Sequence, residues 1–191
     1  AARRAIVLLK NEDATLPLDR KRIRTVAVIG PNATYLRSLL GNYNGTPLAP
    51  VTPLAGILAE AGSDIRVLYA QGCEHAATQT EGCAIHHRDR FSEAITAAEH
   101  ADVVIGCFGL NPDMEGEEGD ASNADAAGDK MNIDLPAIQR ELIDALAAGR
   151  TLPQEQQDCL RAAFPDGFVE RALELSLFQG EAAVEADVQL T

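Results

Sequence analysis

The sequence predicts an α/β fold with a mostly parallel β-sheet and helices on its faces. Three mostly apolar runs, at residues 25–30, 66–70 and 101–110, are each followed by residues with helical spacing. Apolar runs without polar alternation are typical of strands that are buried on both faces of a parallel sheet. Their alternation with helices indicates β-α-β units that share one sheet.

The rest of the chain divides into helical and loop segments. Residues 2–10 begin as a helix and become apolar enough to switch to a strand near Ile6. Helices are predicted where apolar residues recur with a period of about 3.6 residues, at residues 35–40, 54–61, 91–100 and 136–148. Loops are predicted where polar residues, Gly and Pro accumulate, at residues 11–24, 41–53, 71–88 and 111–134.

The pattern changes after Gly149, where a parallel-sheet domain should return to a buried strand. Residues 151–191 are instead polar and helix-prone, with eight acidic and two basic side chains. The sequence therefore predicts an α/β domain that is incomplete and followed by a helical C-terminal tail.

Composition and charge exclude several classes of protein. Hydrophobic residues make up 46% of the 191 positions, which argues against a disordered chain. No apolar run approaches the roughly 20 residues of a membrane-spanning helix, so no membrane partner is expected. The net charge of −13 opposes binding to nucleic acid, whose affinity for proteins depends on basic side chains.

The four cysteines have no spacing that is typical of a zinc site, and no metal is predicted. Cys107 lies in an apolar run and is expected to be a small buried residue. Cys73 and Cys83 flank a polar loop, and the sequence is compatible with both a disulfide and two free thiols. A disulfide would indicate a secreted or periplasmic protein, but the localisation is otherwise unknown.

The loop that follows the third predicted strand concentrates acidic residues at the strand's carboxyl end, where open α/β sheets bind ligands. Repulsion between nearby carboxylates favours protonation of some of them, and a general acid must be protonated near neutral pH. On spacing alone, a solvated acidic loop is the first interpretation, while the spacing of an EF-hand calcium loop is absent. Eight acidic residues are involved: Asp113, Glu115, Glu117, Glu118, Asp120, Asp125, Asp129 and Asp134.

Nucleotide binding and a serine nucleophile receive little support. The first strand continues as GPNATY, without the GxGxxG turn of a dinucleotide site, and no GxxxxGK[ST] segment occurs. The GxSxG signature of many hydrolases is also absent. No cofactor is therefore predicted.

Several segments, in a fixed order, are similar to the C-terminal αβ-sandwich domain of family 3 glycoside hydrolases. They include AARRAIVLLKN, TVAVIGPNA, LLGNYNGTP, YAQGC, ADVVIGCFGL, MEGEEGD and GDKMNIDLPAIQRELI. The resemblance covers residues 1–149 and is nearest to β-xylosidase and β-glucosidase members. It implies a linker at residues 1–24, the first part of the sandwich at residues 25–149 and a divergent acidic tail at residues 150–191.

The resemblance also implies a function. In this family a β/α barrel precedes the sandwich and supplies the nucleophile, and a glutamate on a sandwich loop is often the general acid/base. That glutamate corresponds best to Glu115, with Glu117 and Glu118 as alternatives. The expected substrate is a terminal, non-reducing β-linked sugar, and the chain without its barrel is expected to be inactive. A non-catalytic module that binds sugar or a protein partner is the alternative.

Three further residues are expected to shape the loop around the sugar. They are Asp120, Asp129 and Lys130. The family often has Arg where this chain has Lys130, which puts a bidentate role in doubt because an ammonium group lacks the planar fork of a guanidinium.

Overall fold

The strands and helices follow the predicted alternation. The computed structural model describes residues 2–40, 45–76, 88–116, 130, 132–149 and 174–179. The strands are β1 (Thr25–Ile29), β2 (Arg66–Ala70), β3 (Val103–Phe108) and β4 (Glu174–Gln179). The helices are α1 (Ala2–Ala5), α2 (Pro53–Ala61), α3 (Phe91–Glu99) and α4 (Ala137–Gly149), with 3-10 turns at Glu12–Ala14 and Leu36–Leu39.

The four strands form one sheet in the order β2-β1-β3-β4. β1 lies between β2 and β3 and pairs with both in parallel, so that Val26 is aligned with Val67 and with Val103. β4 pairs with β3 in antiparallel orientation. The parallel arrangement of the first three strands and the α/β class are therefore confirmed.

Helices cover both faces of the sheet because successive strand residues point to opposite sides. On one face, Ala27 and Ile29 of β1 pack in a core with residues of α3 and α4, including Leu142. On the other face, Val26 and Val28 pack with Cys107 of β3 and with side chains of α2. The continuous apolar sequence of β1 is thus explained by burial on both faces.

Local sequence defines where α2 begins and ends. The Thr52 hydroxyl accepts a hydrogen bond from the Ala55 N–H (3.3 Å), and Pro53 occupies the first turn. The helix stops at Gly62, which has a positive φ of 63°. The predicted start of this helix is therefore correct to within one residue.

Two predictions about strands are wrong. The apolar segment after α1 forms no strand, and its side chains are exposed, from 76% for Ile6 to 57% for Leu9. Within the predicted helical tail, Glu174–Gln179 is strand β4. The free edge of β3 offers unpaired backbone groups, and pairing with them outweighs the weak helical preference of these residues. The remainder of residues 150–191 lies outside the described residues.

The predicted helix at residues 35–40 is only the 3-10 turn Leu36–Leu39. Of the two possibilities left open for Cys73, a disulfide or a free thiol, the structure has the free and buried thiol; Cys83 lies outside the described residues. Burial raises the pKa of the Cys73 and Cys107 thiols to about 12. Cys107 is buried in β3, as predicted.

Candidate active site at the carboxyl ends of the strands

The connections that follow β1, β2 and β3 meet at one edge of the sheet, because the three strands are parallel. Gly30 and Gly109 end β1 and β3 with φ angles of +127° and +134°. A Cβ atom on Gly30 would lie 2.3 Å from the carbonyl oxygen of Cys107. The backbone of β1 therefore turns directly against β3, and only glycine fits this turn.

A buried amide side chain joins two of these connections. Gln139, in the first turn of α4, is fully buried, and its Oε1 accepts a hydrogen bond from the Gly109 N–H (2.8 Å). Its Nε2 donates to the carbonyl oxygens of His75 (2.8 Å) and Gly109 (3.1 Å). Gln139 thereby satisfies backbone groups that the turns after β2 and β3 leave unpaired.

Asn32 and His75 complete this network. The buried Asn32 donates from Nδ2 to the Gly109 carbonyl (3.2 Å), and its Oδ1 lies 3.1 Å from Nε2 of His75. Because an amide oxygen only accepts, Nε2 of His75 must carry the proton in this contact. Burial lowers the pKa of His75, and the charges of Glu74 and Asp113 and a hydrogen bond to the Pro31 carbonyl oppose that effect.

A second group of contacts surrounds Asp113. The Tyr35 hydroxyl donates a hydrogen bond to Oδ2 of Asp113, and the Arg37 guanidinium lies 2.8 Å from Oδ1. The ring of Tyr35 packs against His75, with 4.4 Å between ring centroids. The hydrogen bond to Asp113 raises the pKa of Tyr35, burial and the Asp113 charge add to the effect, and Arg37 opposes it.

Glu115 lies two residues further along and is half-buried. Its N–H donates to the Asn111 carbonyl (3.1 Å), and its Oε2 accepts from the backbone N–H of Lys130 (2.9 Å). The Lys130 ammonium donates to the Asp134 carbonyl (2.5 Å). Glu115 is thus held from two separate parts of the loop, while its second carboxylate oxygen makes no hydrogen bond to any described residue.

Asn111 begins the turn that carries Asp113 and Glu115. Its Oδ1 accepts a hydrogen bond from the Asp113 N–H (2.9 Å). Its buried Nδ2 has no hydrogen-bond partner among the residues that the structure describes. The backbone at Asp113 and Glu115 is therefore hydrogen-bonded to a buried polar residue, Asn111, and is not part of a freely solvated loop.

The structure brings together two of the predicted site residues, Glu115 and Lys130. The other four, Glu117, Glu118, Asp120 and Asp129, lie outside the described residues. No group of three or more metal-ligating side chains occurs in the described ranges. No described helix has both the length and the apolar character needed to cross a bilayer.

The sequence did not indicate any role for four residues of these hydrogen-bonded groups: Asn32, Tyr35, His75 and Gln139. A signal was available for Gln139, because it interrupts the apolar face of a helix at a position expected to be buried. Asn32 also follows a strand directly, at the edge where ligand sites form.

The fold and site define an α/β domain with an acidic loop at the carboxyl end of its central strands. Residues 6–152 match the glycosyl hydrolase family 3 C-terminal domain. The chain belongs to this family, as the sequence segments predicted.

The chain is 35% identical over 151 residues to a β-xylosidase of Formosa agariphila. The alignment covers 76% of this chain and 18% of the relative. A solved GH3 exo-β-xylosidase in complex with a xylobiose aziridine probe has 36% identity and a TM-score of 0.59. The matched region is 74% of this chain and 16% of the exo-β-xylosidase chain. A β-glucosidase from Erythrobacter marinus has 31% identity and a TM-score of 0.56, over 75% of this chain and 20% of its own. The chain thus spans a fifth or less of these proteins.

Proposed function

We propose that the chain forms part of a retaining β-glycosidase of β-xylosidase or β-glucosidase type, with Glu115 as the general acid/base. The observation that carries the proposal is the position of Glu115. It is a half-buried carboxylate at the carboxyl end of β3, with one oxygen bound to the Lys130 N–H and the other without a described partner. Membership in a family of glycoside hydrolases supports this assignment.

In the proposed reaction, Glu115 first donates a proton to the glycosidic oxygen of a terminal, non-reducing sugar. A second carboxylate attacks the anomeric carbon as the glycosidic C–O bond breaks, so that the protonated leaving group departs as an alcohol and a covalent glycosyl-enzyme intermediate remains. Glu115, now ionised, removes a proton from the water that hydrolyses this intermediate. The two carboxyl groups of a retaining enzyme stand about 5–5.5 Å apart.

The second carboxylate is proposed to come from a preceding β/α barrel. Asp113, the nearest described carboxylate along the chain, is already bound on both oxygens by Tyr35 and Arg37. It is therefore poorly suited to attack a sugar. We expect the 191-residue chain alone to hydrolyse aryl β-glycosides at background rates, and substantial turnover by the pure chain would contradict the proposal.

The test uses a chimaera in which residues 6–149 replace the matching segment of the Formosa agariphila β-xylosidase. Glu115→Gln should lower kcat/KM for xylobiose by about 10²–10⁴-fold, because the departing sugar requires protonation. A dinitrophenyl β-xyloside needs no proton for departure, so kcat/KM for that substrate should fall much less. Added azide should restore turnover of the dinitrophenyl substrate, because azide attacks the intermediate without a general base.

Glu99→Gln is the matched control, because it removes an exposed carboxylate at the other end of the sheet. It should leave kcat/KM unchanged for both substrates. If Glu115→Gln lowers kcat/KM equally for both substrates, acid catalysis by this residue is excluded. Full activity of Glu115→Gln on xylobiose would favour a non-catalytic module that binds sugar or a partner.

A further inference from the structure

Tyr35 contacts the connections that follow β2 and β3, although it belongs to the connection that follows β1. Its hydroxyl donates to Asp113, and its ring packs on His75 at 4.4 Å and an interplanar angle of 54°. His75 is in turn bound to Asn32, and its carbonyl is bound to the fully buried Gln139. Tyr35 therefore contacts both the buried network, through His75, and the acidic loop, through Asp113.

Arg37 binds the same carboxylate from the 3-10 turn Leu36–Leu39. Its guanidinium lies 2.8 Å from Oδ1 of Asp113, while Tyr35 binds Oδ2. The Asp113 N–H is bound to the Asn111 side chain at 2.9 Å. Both carboxylate oxygens and the backbone of Asp113 are thus restrained, two residues before Glu115.

These contacts are better suited to positioning than to stabilising the fold. The Arg37 side chain is 62% exposed and that of Asp113 is 37% exposed. Ion pairs with such exposure contribute little to the free energy of unfolding, because water screens them. A pair of contacts to one carboxylate does, however, define its direction, since the phenol and the guanidinium bind different oxygens of it.

We propose that Tyr35 and Arg37 are positioning residues that hold Asp113 and thereby fix the segment that presents Glu115. This role rests on the proposed function of Glu115. The segment is anchored at Asp113 by these two side chains and at Glu115 by the Lys130 N–H. A misplacement of about 1 Å in a catalytic group can cost about 10²-fold in rate, so such anchoring affects turnover directly.

The first test uses the full 191-residue chain and amide hydrogen exchange. The N–H groups of Met114 and Glu115 donate to the Asn111 carbonyl at 2.9 and 3.1 Å, so their exchange reports the order of the segment. In Tyr35→Phe both amides should exchange roughly two- to tenfold faster, as expected for loss of one hydrogen bond. Exchange of the Ala27 amide in the core should not change.

Tyr69→Phe is the matched control. It removes the hydroxyl of a β2 residue, which lies 3.2 Å from the Thr34 hydroxyl in the connection after β1 and makes no hydrogen bond to the described residues of the acidic loop. Exchange of Met114 and Glu115 should therefore remain as in the wild type. Unchanged exchange in Tyr35→Phe, or equal acceleration in Tyr69→Phe, would overturn the proposal.

The second test measures kinetics in the chimaera. Tyr35→Phe should lower kcat for xylobiose by roughly tenfold to a hundredfold with little change in KM, because the acid is misplaced while the sugar still binds. Tyr35→Phe should lower kcat less in an Asp113→Asn background than in the wild type, since the contact is already weakened there. A change confined to KM would overturn the role.

The two proposals fail in different ways. If Glu115→Gln leaves xylobiose turnover intact, the proposed function fails, and the positioning role fails with it whatever the exchange result. If Glu115→Gln abolishes turnover while Tyr35→Phe leaves exchange and kcat unchanged, only the positioning role is overturned.

Discussion

Gln139 provides the sharpest test of the buried network beneath the candidate site. Gln139→Met keeps the length and approximate volume of the side chain but removes its polar atoms. The buried Gly109 N–H then loses its acceptor, which is 2.8 Å away in the wild type. The partly exposed His75 carbonyl loses its donor, also at 2.8 Å. The Gly109 carbonyl keeps its bond to Asn32 at 3.2 Å.

The magnitude follows from these losses. An unpaired buried group costs about 1–3 kcal/mol, and the partly exposed carbonyl costs less because water reaches it. We expect the free energy of unfolding to fall by about 2–3 kcal/mol, a large part of the 5–15 kcal/mol typical of a domain. With a urea m-value of about 2 kcal/mol/M, the unfolding midpoint should drop by roughly 1 M.

The assay is urea unfolding followed by far-ultraviolet circular dichroism, because the chain has no Trp. Gln71→Met is the control: Gln71 is half-buried and its Nε2 donates to the Cys73 carbonyl at 3.2 Å. It should cost less than about 1 kcal/mol. Equal midpoints for Gln139→Met and the wild type would refute the stabilising role of the network.

Three further predictions concern other parts of the same edge. Gly30→Ala should destabilise the fold by about 2 kcal/mol or more in urea unfolding, because its φ of +127° and the adjacent β3 carbonyl both exclude a Cβ. Gly45→Ala, which meets no atom within 4 Å, should change stability by less than about 1 kcal/mol. Burial lowers the pKa of His75, so the stability that its neutral ring contributes is complete above the unfolded pKa of about 6.5 and is lost as the pH falls from there through the lower pKa of the folded state. The urea midpoint should therefore fall less between about pH 7.5 and 5.5 in His75→Gln, and an identical fall would contradict this assignment. Asp113→Asn should lower the pKa of Tyr35 toward its ordinary value, which an ultraviolet titration compared with Tyr35→Phe would measure.

Most of the fold could be predicted because local and tertiary preferences agree. Thr25–Ile29 is β-branched and apolar, and it is buried on both faces as the central parallel strand. α4 begins after Pro136, as the position of proline in a first helical turn indicates. The prediction failed at Glu174–Gln179, where strand pairing with β3 outweighs local helix propensity.

The candidate site could be predicted only in part. The acidic loop after β3 was identified because its composition and its position at a strand end are both visible in the sequence. The supporting side chains were not, because a hydrogen bond such as that from Tyr35 to Asp113 joins residues 78 positions apart. Their role as loop supports stays a proposal.

The sequence by itself determined the α/β class, the membership in family 3 of the glycoside hydrolases and the location of the acidic loop. These properties depend on periodicity and on short segments in a fixed order, which neighbouring residues specify. Only the tertiary structure decided that Gln139, Asn32 and His75 meet beneath the loop and that Tyr35 and Arg37 bind Asp113. The physical reason is that parallel pairing brings the ends of β1, β2 and β3 to one edge, and side chains that are remote in sequence then satisfy the backbone groups left unpaired there.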